Sequence, residues 1–338
     1  LVGRVGAARA NLPAQAIIVV AIAAVVAAAC VQVDRRRPGW GAPAAMASIV
    51  GLIAFDLLIG APLQLNTTFG YSVAVAGRFT GLGNLAFALF GSATIVLAAL
   101  IVDRTGPRGV RVALGLMAAV VVVEGLPMLG ADVGGVLAMV PAFGVTALLL
   151  LGRRIRAREV VGLVVATGVV LFAFALVDAA RPPEVQTHLA RFAEQVFDGR
   201  WETFSKNLGR RWQASLGGAE LAGWITVGAV MVLAWLYAVL VALGRMGPRA
   251  TRPLRDRPTI AAMTGLAVLA TIGLVANDSS VAVPLTMLIV IGPAGILQAV
   301  APAARDRGPA AGPPGAPSPP VPAGPEAVAL RPPVGQAA

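Results

Sequence analysis

The chain has 338 residues, 57% of them hydrophobic and 13% charged, and its mean hydropathy is +0.81. A soluble domain carries roughly 25% charged residues, so there is too little polar material here to cover a water-facing surface, and lipid is the solvent that fits. The net charge of +11 does not point to nucleic acid, because the arginines sit in short clusters between apolar runs and no basic face with interleaved aromatics is present.

Apolar runs of about 20 residues recur, the length a helix needs to cross a bilayer core. They are continuously apolar rather than alternating, which excludes barrel strands. The expected fold is therefore all-α: a polytopic transmembrane helix bundle of about nine spans. In chain order the spans read 14–33, 42–60, 82–102, 110–126, 134–152, 159–178, 219–243, 259–276 and 281–300. Cys30 is the only cysteine and lies inside the first run, so there is no internal disulfide and no thiolate metal cluster. Lys206 is the only lysine among 27 basic residues, a bias in keeping with a GC-rich bacterial genome. The chain opens on Leu1 rather than Met and reads as a fragment or a processed product.

The linkers set the direction of insertion. Arg35, Arg36 and Arg37, then Arg104, Arg108 and Arg111, then Arg153, Arg154, Arg156 and Arg158, and finally Arg245, Arg249, Arg252, Arg255 and Arg257 occupy alternate linkers. The short linkers of the other set, around 61–81, 124–133 and 277–280, hold only Arg78. The positive-inside rule then predicts a multi-pass protein of the bacterial plasma membrane with its N-terminus outside and its C-terminus in the cytoplasm. The bundle occupies residues 1–300. Residues 301–338 are rich in Pro, Ala and Gly, cannot bury enough apolar surface to fold, and read as a disordered cytoplasmic tail.

The linker 179–218 is the exception to the charge rule, since it carries basic residues and still falls outside; Glu184, Glu194, Asp198 and Glu202 accompany them. Within it Leu189, Phe192 and Val196, then Trp201, Phe204, Leu208 and Trp212, recur at helical spacing. This predicts an amphipathic extracytoplasmic helical segment, lying in the headgroup plane or packed as a lid on the bundle.

On this topology the unexpected polar residues gather at the outer face: Asp56, Arg78, Asn84, Glu124, Asp132, Asp178, Asn277 and Asp278 at span ends, with His188, Arg191 and Lys206 in the long outer linker. Ionisable groups within spans are costly and face a bundle interior or a wet cavity. Asp132 and Asp278 immediately precede helices and can serve as N-caps. Glu124 and Asp178 sit at helix C-termini, where the macrodipole disfavours an anion, so they need a partner such as Arg78 or Arg181, or a cation. Asp56 lies deep enough to require pairing within the bundle.

In Gly77-Arg78-Phe79-Thr80-Gly81-Leu82-Gly83-Asn84 the glycines permit close backbone approach at a helix start, where Arg78 and the amides can hold a phosphate or carboxylate; the other reading is a glycine-rich helix contact with Arg78 as an interfacial anchor. His188 is the only histidine and shares a helix face with Arg191, which makes it the candidate general base. No metal or cofactor is expected: zinc lacks further His or Cys ligands, although carboxylates suit a hard cation. Pro141, Pro284 and Pro293 interrupt spans, as in transporters, but no internal repeat accompanies them.

Four motifs, GRFTGLGN (Arg78, Asn84), LPMLGADVGG (Asp132), THLARF (His188, Arg191) and NDSS (Asn277, Asp278), resemble those of a group of uncharacterised actinobacterial-type polytopic membrane proteins. The resemblance covers roughly residues 60–300, and Ser280 departs from the Asn-Asp-Ser-Gly of that group. It implies a helical membrane fold, in some members joined to an alkaline-phosphatase-like or sulfatase-like extracytoplasmic domain, and brings no assigned activity with it.

The function expected is a cell-envelope membrane protein that binds or processes an anionic, lipid-linked substrate. Arg78, Gly81, Gly83, Asn84, Asn277, Asp278, Glu124, Asp178, Asp56 and Lys206 would bind it, and His188, Arg191 and Asp132 would act on it if the protein is an enzyme. The alternatives are a transporter or flippase, or a membrane anchor for an upstream extracytoplasmic domain. The partners expected are the lipid bilayer and that substrate, and no nucleic acid.

Overall fold

The structure, a computed structural model, describes residues 12–64, 81–187, 256–277 and 281–305, with isolated helical positions between 223 and 229. These residues form helices α1 (Leu12–Arg36), α2 (Gly41–Leu58), α3 (Asn84–Thr105), α4 (Pro107–Gly125), α5 (Val133–Leu150), α6 (Ala157–Ala179), α7 (Arg257–Ala276) and α8 (Ala282–Arg305), and a short 3-10 turn at Pro183–Val185. Among the described residues there is no strand. Two compact units divide the chain, Leu1–Gln298 and Ala299–Ala338.

Six helices (α1 over Ala16–Arg36, α2, α3, α5, α6 and α7) are long and apolar enough to cross a membrane. The fourth expected span, 110–126, is a helix but falls outside this group, because α4 carries Arg108, Arg111 and Glu124 within its 19 residues. The apolar part of α8 described here, Ala282–Ala294, is shorter than a span, and most of 219–243 lies outside the described residues. The expected interruptions are mild. Helices α5 and α8 continue through Pro141 and Pro293, and Pro284 sits in the first turn of α8, where a missing N–H costs little.

Helix α3 is the centre. Phe87, Ala88, Phe90, Ala93, Ile95 and Ala98 on it are fully buried, against α2, α4, α5 and α7. Small residues let the backbones close in: a Cβ on Gly91 would meet Leu269 and Met139, and one on Gly273 would come within 2.8 Å of Val283 on α8. Buried hydroxyls return to their own helix, Ser92 donating to the Ala88 carbonyl at 2.6 Å and Thr94 to that of Phe90 at 2.7 Å, so neither hydroxyl is stranded in the apolar core. The outward surfaces of α1 and α6 are apolar, with Ile17, Val20, Val25, Val161 and Val164 all more than half exposed. Water would not tolerate so continuous an apolar surface; lipid does.

The turns fix the two ends of the bundle. At one, Arg104 Nε donates to the Gly39 carbonyl at 2.6 Å, joining the α3–α4 turn to the α1–α2 turn, and the Arg257 guanidinium lies over Gly152, joining the start of α7 to the end of α5. At the other, the Leu82 amide donates to the Gly130 carbonyl at 2.8 Å, and Gly134 faces Ala276 and Asn277. Helices α3 and α5 therefore run the same way and α7 runs against them. The described arginine-rich turns share one end, and the starts of α3 and α5 share the other with the close of α7.

Candidate functional site

The polar end is organised by the loop between α4 and α5. It folds back tightly: Gly130 N–H donates to the Val123 carbonyl at 2.9 Å, Ala131 N–H to that of Leu126 at 3.1 Å and Asp132 N–H to that of Glu124 at 3.2 Å. Ala131 takes a φ of 47°, a left-handed conformation that costs a non-glycine residue about 1–2 kcal/mol. Strain of this kind persists only where the surroundings enforce it. Its result is that Asp132, eight residues beyond Glu124, comes back beside it.

Gly135 supplies the space. A Cβ there would fall on Glu124 Oε1 and lie 3.0 Å from Asp132 Oδ2, so the two carboxylates are neighbours over the bare backbone of α5. Gly134, next to it, stands 3.5 Å from Asp132 Oδ1 and 3.9 Å from Asn277 Nδ2, measured from the place its own Cβ would take. Glu124 is 0% exposed, Asp132 1% and Asn277 5%. The site thus unites the close of α4, the start of α5 and the close of α7. All three residues, with Asn84, have hydrogen-bonded or electrostatic partners. Asp132 occupies the N-cap position of α5, yet its side chain makes no capping bond and turns to this cluster instead.

Among the described residues no group of three His, Cys, Asp or Glu gathers, so the pair with Asn277 falls short of an acidic metal cluster.

The start of α3 abuts this loop. Gly81 has a φ of 97°, and a Cβ on it would collide with the Gly130 carbonyl oxygen, so only glycine fits. The Gly83 amide, expected to face an anion, donates to Gln64 Oε1 at 3.0 Å. Gln64 Nε2 in turn donates to Asp56 Oδ2 at 2.9 Å, while the Leu63 amide donates to Asp56 Oδ1 at 2.8 Å. An anion at this helix start would have to draw on the amides beyond Gly83. Asp56 does pair within the bundle, and Gln64, its partner, carries no sequence signature of that role.

Asp178 closes α6 and accepts from the Thr187 amide at 3.0 Å, from Thr187 Oγ1 at 2.7 Å and from the Arg181 guanidinium at 3.2 Å. Arg181 is one of the two partners the helix dipole argument named. This cluster ties down the first residues of the 179–218 linker and stands on a helix that packs chiefly against α5. Gly81, Gly83, Asn84, Glu124, Asp132, Asn277 and Asp56 lie at the polar end of the described bundle. Arg78, His188, Arg191, Lys206 and Asp278 lie outside the described residues. Comparison with protein-family models, with curated proteins and with solved structures returned no match.

Proposed function

We propose that the chain is a multi-pass protein of the bacterial cell envelope, of about nine spans, whose arginine-poor end faces outward and binds an anionic, lipid-linked substrate. The observation that carries this reading is the buried Glu124–Asp132 pair beside the start of α3. In this proposal Arg78, three residues before Gly81 in the sequence, supplies the guanidinium that the pair holds. A guanidinium held by two carboxylates is oriented and desolvated, and its remaining N–H groups suit a phosphate. In the enzymatic form of this proposal, a transferase or hydrolase, His188 and Arg191 act from the outer linker as general base and second anion contact. The alternative is a transporter or flippase; Asp56, the residue it would use, accepts from Leu63 and Gln64, and helices α5 and α8 continue through Pro141 and Pro293.

The test uses the purified full chain in nanodiscs with a short polyprenyl monophosphate and, as control, the uncharged polyprenol. The phosphate form binds and the alcohol does not. Arg78→Ala weakens phosphate binding by about tenfold or more, the worth of a charge-assisted hydrogen bond. Equal binding of phosphate and alcohol, or wild-type affinity in Arg78→Ala, overturns the reading.

A further inference from the structure

We propose that Asp56 and Gln64 are positioning residues that set the start of α3 through one polarised relay, with Gln64 as its hinge. The proposal rests on the reading of that helix start as part of the substrate site. Three hydrogen bonds make the relay: Leu63 N–H to Asp56 Oδ1 at 2.8 Å, Gln64 Nε2 to Asp56 Oδ2 at 2.9 Å and Gly83 N–H to Gln64 Oε1 at 3.0 Å. Asp56 is 2% exposed and Gln64 9%, so water does not compete for these groups.

The order of donors and acceptors is forced. Both Asp56 oxygens accept an N–H, so Asp56 takes the amide nitrogen of Gln64 and turns the amide oxygen the other way, toward Gly83. The first amides of a helix have no partner inside it. Gly83, at the N-cap of α3, finds one in a side chain nineteen residues earlier. The same bond joins the end of the α2 turn, where Gly60 and Ala61 take φ of 87° and 57°, to the segment in which Gly81 presses on Gly130. The relay thus registers α2 and α3 against the loop that holds Glu124 beside Asp132.

The polarity makes a swap possible. In Asp56→Asn/Gln64→Glu the new carboxylate accepts from both the new amide and Gly83, and the Asn oxygen still accepts from Leu63, so all three bonds return with the charge moved to the other residue. Either single change breaks one link: Gln64→Glu sets two carboxylates face to face, and Asp56→Asn sets two donors against one another or turns the Gln64 nitrogen toward the Gly83 N–H.

The experiment is hydrogen exchange of the full chain in nanodiscs, read at the Gly83 amide, with polyprenyl monophosphate binding measured on the same samples. Each single variant exchanges at Gly83 about tenfold faster than wild type, and the double variant returns to within about twofold of it. Affinity for the probe falls and recovers in step. Unchanged exchange in the single variants, or a double variant no better than the singles, overturns the relay. Exchange that moves while affinity stays constant overturns the positioning role. Wild-type affinity in Arg78→Ala is a separate failure, of the anion-site reading, and leaves the exchange result to decide the relay.

Discussion

Replacing Gly135 by alanine asks for a volume that Glu124 already fills. The new methyl group would land on Glu124 Oε1 and stand 3.0 Å from Asp132 Oδ2, with both side chains buried. The Glu124 carboxylate is the end of a flexible side chain, but it can leave only by finding another polar niche inside the bundle. Overpacking of this kind costs about 1–3 kcal/mol. Alanine also improves helix propensity over glycine, by up to about 1 kcal/mol, so the comparison has to be made with a glycine that faces nothing. Gly115 on α4 is such a position, with no atom within 4 Å of its would-be Cβ. Gly135→Ala is therefore expected to be less stable than Gly115→Ala by about 1–3 kcal/mol. The assay is reversible unfolding in mixed micelles, followed by fluorescence. In a Glu124→Ala background the methyl has room, and the penalty vanishes, which gives a coupling energy of the same size. If Gly135→Ala behaves like Gly115→Ala, or the penalty persists without the Glu124 side chain, the two carboxylates do not meet over Gly135 and the site has been wrongly assembled.

Two further predictions concern the ends of the bundle. Asp178→Ala removes the acceptor for Thr187 and Arg181 and should lower stability by about 2–4 kcal/mol, whereas Thr187→Val, which loses only the hydroxyl bond, should cost about 1–2 kcal/mol; the same unfolding assay separates them, and equal effects would contradict the shared acceptor. In a Cys30→Ser background, single cysteines at Met128 in the α4–α5 loop and at Arg153 after α5, both exposed, should react with a membrane-impermeant maleimide from opposite sides of the membrane, Met128→Cys from outside. Labelling of both from one side refutes the assignment of the ends.

The helices were legible because span length and continuous apolarity are local properties, and the boundaries of α3, α5, α6 and α7 fall within a few residues of the apolar runs. The arginine clusters were equally legible, and the described ones do occupy one end of the bundle. Side-chain roles were less so. Helix-end logic treated Asp132 as a capping residue and left Asp56, Glu124 and Asp178 in need of partners. The fold reverses part of that division: Asp132 makes no capping bond and turns toward Glu124, while Asp56 and Asp178 are held by Gln64, Leu63, Thr187 and Arg181. The reason is that a cap is decided by rotamer as well as position: the Asp132 carboxylate lies over Gly134 and Gly135 beside Glu124 without making the capping bond. Gln64 was missed because a glutamine in a linker has no periodicity to betray it; its role depends on a contact with Gly83 that only the packing of α2 on α3 creates. The glycines were the usable clue. Gly130, Gly134 and Gly135 cluster in the sequence where backbone and carboxylates crowd in the fold.

The separation of charge between the two ends has a consequence in an energised cell. Moving one elementary charge through a membrane potential is worth about 2.3 kcal/mol per 100 mV. A bundle whose described arginine turns lie at one end carries its fixed positive charge to one side of the field. With the interior negative, the orientation that keeps the arginines inside lies lower than its inverted copy, and the gap widens as voltage rises. In any membrane that carries such a potential, the voltage itself therefore favours one facing of this bundle.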